Sequence, residues 1–392
     1  MCPPGALKSR NDMRTSIPAS FYRGGTSKAV LFNHDDLPRD QARWDAIFCH
    51  IMGSPDAFGR QLDGMGGGVS SLSKVAVVAK SSLPGVDLDY TFVQIAVEQP
   101  LADYGAMCGN IASAIGPFAV SSGIIGLPDG PANLTIRNTN TDKLFRANFK
   151  LTNGQVVECG NAAIAGVSGT GAEVALTFLN PAGARTGHLL PTHQEMNNLA
   201  LPSGETLPAS LVDVTNPVVF VRAADLGMTG YEHPDALEAD AVLMEKLETI
   251  RQVGAVAMGL AANTAETAAA NPKVAMVAPA AEFQSLDHTT HGRADYDVSV
   301  RMASMGRVHR AVTLTAGMCL ATSCVMQGTV APLVNTRHVR IGHPSGILPV
   351  SVDFNTKSAT PEIHSVTCYR TQRCLMIGQV PIPAHLLDSH HE

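Results

Sequence analysis

Apolar and polar residues alternate along much of this chain, the period-two pattern of half-buried strands, and helical spacing breaks in at only a few places. Ile17 and Phe21 precede the turn RGGTSK at 23–28, and Ala29 to Phe32 follow it, which predicts a hairpin. Over 39–52, Trp44, Ile47, Phe48 and Ile51 share one face and predict a helix stopping at Gly53. An unbroken apolar run at 75–79 predicts a fully buried strand, and strand signals recur over 90–97, 134–136, 144–151, 155–159 and 172–179. The stretch 104–118, YGAMCGNIASAIGPF, is different in kind. It predicts a strand ending in a loop, then a buried helix beginning at or just after Cys108, kinked or restarted at Pro117 and closed by Gly123. The first half is therefore many strands around one buried helix.

A turn-rich stretch at 180–199 leads to Pro202, Ser203 and Gly204, where the domain boundary is expected. This gives an N-terminal domain over 14–204 and a C-terminal one over 205–385, with a leader at 1–13 and a tail at 386–392. The second half opens with a strand pair at 211–221 and a helix over 234–253 that Gly254 would stop, followed by strands at 274–277 and 298–302. The segment 304–328 then repeats the strand, turn and small-residue helix of the first half, roughly two hundred residues on. Thr315, Ala316 and Gly317 stand where Cys108, Gly109 and Asn110 stood. Two such halves would bring two helix N-termini to one cleft, suited to a substrate with several carboxylates.

Composition narrows the picture. A length of 392 residues favours two domains. The hydrophobic fraction is 45% and mean hydropathy +0.09, yet no apolar stretch has the length of a membrane span. A net charge of −6 without basic runs argues against nucleic acid as partner. The eight cysteines lack CxxC pairing and metal-ligand spacing, which fits reduced thiols in a cytoplasmic protein. His288 and His291 lack supporting ligands at metal spacing, so no metal is expected. Neither RGGTSK nor GMGGGV fits a nucleotide fingerprint, so no cofactor is expected, and the glycines of 64–68 read as a flexible loop. The leader reads as disordered, with Met13 as an alternative start, and a homodimer is compatible with the chain.

Cys108 is the first chemical candidate. At a helix start the dipole and unpaired amides stabilise a thiolate and hold a carboxylate; the alternative is an ordinary buried small hydrophobe. Lys74 opens an apolar strand after a polar, glycine-rich loop, and burial there would lower the pKa of its amine. Lys80, at the far end, reads as a guard against aggregation. Arg23 is a candidate carboxylate ligand or simply part of a charged hairpin. Ser345, in the GHPSG stretch at 342–346, is a helper or part of a plain turn.

Taken together, RGGTSK, GSPD at 53–56, QLDGMGGG with SSLSK ending at Lys74, CGN at Cys108, AADLGMTG at 223–230, SMG at 304–306 and GHPSG resemble the PrpF family, from about Ile17 to Pro383. That family includes 2-methylaconitate cis-trans isomerase, methylitaconate isomerase, 4-oxalomesaconate tautomerase and aconitate isomerase. The resemblance implies an α+β, diaminopimelate-epimerase-like fold: two pseudo-symmetric halves, each a mixed sheet around a central helix, with the active site between them. Motif for motif, it places the family's lysine on Lys74 and its cysteine on Cys108, and puts Thr315 in the vacated place of a second cysteine. His193 stands where the family usually has a glycine, which would reshape one wall of the pocket.

The expectation is a cofactor-independent isomerase that moves a proton and a double bond in an unsaturated di- or tricarboxylic acid. Lys74 and Cys108 would transfer protons, with their acid and base roles open. Gly109, Asn110, Ala316 and Gly317 would bind carboxylates through the helix starts, aided by Arg23 and Ser345. The alternatives are an amino-acid epimerase or racemase, and a non-catalytic carboxylate-binding accessory to a dehydratase.

Overall fold

The computed structural model describes residues 14–105, 107–269, 271–355 and 361–387. The leader with Met13 lies outside the described residues, as does 388–392 of the expected tail.

In the first half the alternation becomes a sheet. Strands Arg14–Gly24 and Ser27–Asn33 form the predicted hairpin, and Ser27–Asn33 then pairs in parallel with Lys74–Lys80. Lys74–Lys80 runs antiparallel to Leu88–Ile95, which is parallel to Gly130–Asn138, and Lys143–Thr152 and Glu173–Leu179 continue the sheet. The amphipathic helix α1 (Trp44–Met52) covers its outer face with Trp44, Ile47, Phe48 and Ile51, and ends on Gly53 at φ 75°. Helix α2 (Gly109–Ser121) is buried nearly all round, because the sheet curls about it. Its small residues allow that: a Cβ on Gly116 would sit 2.6 Å from Phe149 Cε1. Pro117 lies inside α2 and neither stops nor restarts it.

The second half repeats this order. Asn216–Arg222 is parallel to Lys273–Pro279, which is antiparallel to Val298–Ser304, which is parallel to His338–His343, which turns antiparallel into Gly346–Asn355. The predicted helix over 234–253 is divided into α3 (Pro234–Ala239) and α4 (Ala241–Ala257), because Asp240 accepts the N–H of Leu243 and caps α4. Gly254 does not stop α4. It lies inside the helix, where an added Cβ would collide with Val219 of the sheet below. Helix α5 (Leu314–Val325) is the buried centre of this half.

One core spans both central helices, and two smaller ones lie under α1 and under α3 and α4. The last strand, Glu362–Pro383, departs from a simple division at residue 204. It pairs with Gly346–Asn355 of its own half, and with Glu173–Leu179 and Arg14–Gly24 of the other.

Candidate active site

Helices α2 and α5 point their first turns at each other. A Cβ on Gly109 would lie 3.1 Å from Leu314 Cδ2, so the glycine lets the two starts touch. Cys108 is the N-cap of α2 and is half-buried. The three amides that follow have no acceptor in the helix itself, which leaves them free to donate to a group outside it. The N-cap of α5 is Thr313, two residues earlier than the sequence comparison put it. Thr313, and not Thr315, therefore stands in the place of a second cysteine, and Thr315 matches Asn110. The same register overturns two expected ligands: the Ala316 amide is given to Thr313 Oγ1 at 3.4 Å, and the Gly317 amide to the Thr313 carbonyl at 2.9 Å. The Thr315 hydroxyl accepts from Asn216 Nδ2 at 3.1 Å.

Lys74, 7% exposed, stands at the first position of its strand. Its ammonium donates to Gln94 Oε1 at 2.5 Å and lies 5.0 Å from the centre of the Phe92 ring. Burial lowers its pKa, and Cys108 opposes that shift. Tyr90 donates to the Cys108 carbonyl at 3.4 Å. Two titratable residues missing from the sequence reading, Lys273 and His309, act on the same charges. Burial, then Lys74, hold Lys273 at about 8. His309 is pushed to about 3 by burial and by both lysines. Lys273, like Lys74, opens the second strand of a parallel pair, a relation that local sequence does not carry.

The turn at 23–28 folds over the start of α2. A Cβ on Gly24 would come within 2.6 Å of the Asn110 carbonyl, and Gly25 has φ +51°. Thr26 Oγ1 accepts from Asn110 Nδ2 at 3.1 Å, and Asn110 Oδ1 accepts from the buried Arg370 at 3.1 Å. Arg23 instead braces the turn, donating to the carbonyls of Gly25 and Thr371, both at 3.0 Å. Beyond Thr26 opens a cavity of about 200 Å³ between the halves, bounded by Ala165, Val312, His343 and Arg370. Ser345 sits close by, with its hydroxyl donated to the Arg310 carbonyl at 2.6 Å. His343 is buried and neutral down to about pH 3, through burial and the nearby Arg370, Arg301 and His291, and its Nδ1 accepts from the Ser345 amide.

The loop expected to be flexible is packed. Gln61, 1% exposed, donates to Ser54 and Ser73 and accepts from the Gly68 amide, which ties the loop to the residue before Lys74. His193 adopts φ 59°, is exposed, and stacks edge-on with His188 away from the cavity lining, so it forms no wall there. His291 meets Ser285 and Phe283, and among the described residues no group of three His, Cys, Asp or Glu is arranged for a metal.

The family model described as PrpF protein matches residues 14–383. A 2-methyl-aconitate isomerase from Cupriavidus necator is 36% identical over 385 residues, covering 94% of this chain and 97% of the relative. The crystal structure of a methylitaconate-delta-isomerase superposes with a TM-score of 0.80 at 34% identity, covering 96% and 98% of the two chains. A hydroxyproline epimerase from Agrobacterium vitis, at 14% identity and a TM-score of 0.54, shares the fold.

Proposed function

The chain belongs to the PrpF family, and from that premise we propose that it isomerises an unsaturated di- or tricarboxylic acid of the aconitate, methylaconitate or methylitaconate type, moving a proton and a double bond without a cofactor. The observation that carries this reading is a buried amine, Lys74, held against Gln94 and Phe92 of the strand whose Tyr90 donates to the carbonyl of Cys108, a thiol at a helix start beside a second helix start. One of the pair takes an allylic proton; the electrons delocalise into a dienolate; the other returns a proton at the far end of the three-carbon unit, and the double bond moves by one position. The first-turn amides of α2 face the developing negative charge, and such preorganised donors stabilise it without reorganising. Lowering the Lys74 pKa enlarges its neutral, proton-accepting fraction near neutrality.

With Thr313 at the α5 cap, an opposed pair of thiols is lacking, so a two-thiol racemase is not favoured. The test is proton NMR on cis- and trans-aconitate, 2-methylaconitate, methylitaconate and oxalomesaconate. Migration of a double bond in at least one acid is expected. Wild-type protein that leaves all of them unchanged would refute the reading.

A further inference from the structure

Arg370 is a buried cation without a counter-ion. It lies in Glu362–Pro383, the strand that joins the halves, and is 6% exposed. Its Nε donates to Asn110 Oδ1 at 3.1 Å and its Nη1 to the Tyr369 carbonyl at 2.9 Å, both neutral acceptors. Nη2 has no acceptor among the described residues and is not sealed off, so open space reaches it. Burial lowers the pKa of the guanidinium, and the neighbour that favours its charge is Cys368, a thiol that burial pushes up to about 12 and so keeps neutral. A guanidinium keeps its proton, and a buried charge without a partner is costly. The space beside it is the cavity of about 200 Å³ between the halves, with Ala165 and Val312 as apolar walls. His343 lines the same cavity from the second half and is 3% exposed. Its Nδ1 accepts from the Ser345 amide at 3.2 Å and the ring is neutral, so the ring proton is on Nε2, which has no acceptor among the described residues either. We propose that this cavity is a carboxylate subsite, in which Arg370 Nη2 and His343 Nε2 donate to one carboxylate of the substrate.

This rests on the polycarboxylate reading of the site and adds residues that read a carboxylate. Two contacts tie the cavity to the helix starts. Thr26, in its wall, accepts from Asn110 Nδ2 in the first turn of α2, and Val312, in its wall, precedes Thr313, the N-cap of α5. The acid of the lining, Glu173, is exposed and forms no ion pair with Arg370. An arginine in an apolar wall suits a carboxylate, because charge-assisted hydrogen bonds are strong where water is few. The competing role is that of a brace, Arg370 holding Asn110 and with it the turn at 23–28. A brace alone would affect stability and leave the choice among ligands unchanged.

The test is calorimetry on the full-length protein with tricarballylate, a saturated tricarboxylate that has no double bond to move, and with glutarate and methylsuccinate, each of which lacks one of its carboxylates. Wild type should bind tricarballylate at least about tenfold more tightly than one of the two dicarboxylates. In Arg370→Gln, tricarballylate should bind at least about tenfold more weakly and that preference should shrink to about threefold or less, because the group that reads the extra carboxylate is gone. Arg370→Lys, which keeps the charge, should recover part of both. His343→Leu should weaken binding, and His343→Gln, which restores an N–H, should recover part of it; thermal melting checks every variant, and the His343 pair decides should Arg370→Gln not fold. No wild-type binding of tricarballylate, no wild-type preference, or a preference unchanged in the variants would overturn the proposal. Turnover of an unsaturated acid with the same KM in wild type and Arg370→Gln would remove the subsite and leave the isomerase reading standing. Arg370-dependent binding without turnover of any unsaturated acid would instead refute the isomerase reading and leave the subsite.

Discussion

An ammonium buried against Phe92 has a costly charged form, and that cost is what would let Lys74 act as a base in the proposed reaction. Lys74→Ala and Cys108→Ala should each lower kcat by about 10³-fold or more with the fold retained, as expected when a proton-transfer group is lost. Lys74→Arg should be as inactive, because a guanidinium stays protonated and cannot take a proton. Steady-state NMR assays with circular dichroism check both, and near wild-type turnover in any variant would remove that residue from the mechanism. His343 gives a prediction on stability. Its folded pKa of about 3 lies below the ordinary 6.5, so between those values the unfolded chain binds the extra proton. Stability is therefore present above about pH 6.5 and falls as pH drops toward 3, by on the order of 3–5 kcal/mol from this group. Urea unfolding of wild type and His343→Asn across that window should show a flatter pH dependence in the variant.

At the scale of elements, what matters is how closely backbone can approach backbone. The turn after Arg14–Gly24 rests on the first turn of α2 because Gly24 and Gly25 have no side chain there. Gly25→Ala meets both the Asn110 side chain and a positive φ, so about 1–3 kcal/mol of stability should be lost. Activity should fall further than stability accounts for, since α2 and Cys108 would shift together. Gly254→Ala presses on Val219 far from the cleft and should cost about 1–3 kcal/mol while leaving KM unchanged. Denaturant titration beside kinetics distinguishes the two positions.

Across the whole molecule, Glu362–Pro383 stitches the halves by pairing with strands of both, and the core is continuous over α2 and α5. Calorimetric unfolding should therefore be a single transition with matching calorimetric and van't Hoff enthalpies. A chain ending before Glu362 should yield no folded N-terminal half, because Arg14–Gly24 and Glu173–Leu179 would lose a partner strand. Two separated transitions in the full chain would contradict this.

Local sequence determined the elements with strong periodicity and their caps: α1 ending at Gly53, the buried strand that Lys74 opens, and α2 beginning just after Cys108. These depend on residues a few positions apart, so alternation and helix-end chemistry suffice to read them. The ordered motifs around Lys74 and Cys108 carried the family as well, and made those two residues the candidates for its chemistry. What only the tertiary structure decided involves partners far along the chain. Gly254 reads as a helix stop until Val219 explains it; Thr315 reads as the α5 cap until Thr313 is seen to take the amide; the glycines of 64–68 read as slack until Gln61 fills their space. Lys273 becomes a counterpart of Lys74 only through pairing across strands, because a repeat with little sequence identity is preserved in hydrogen-bond register and lost in residue type.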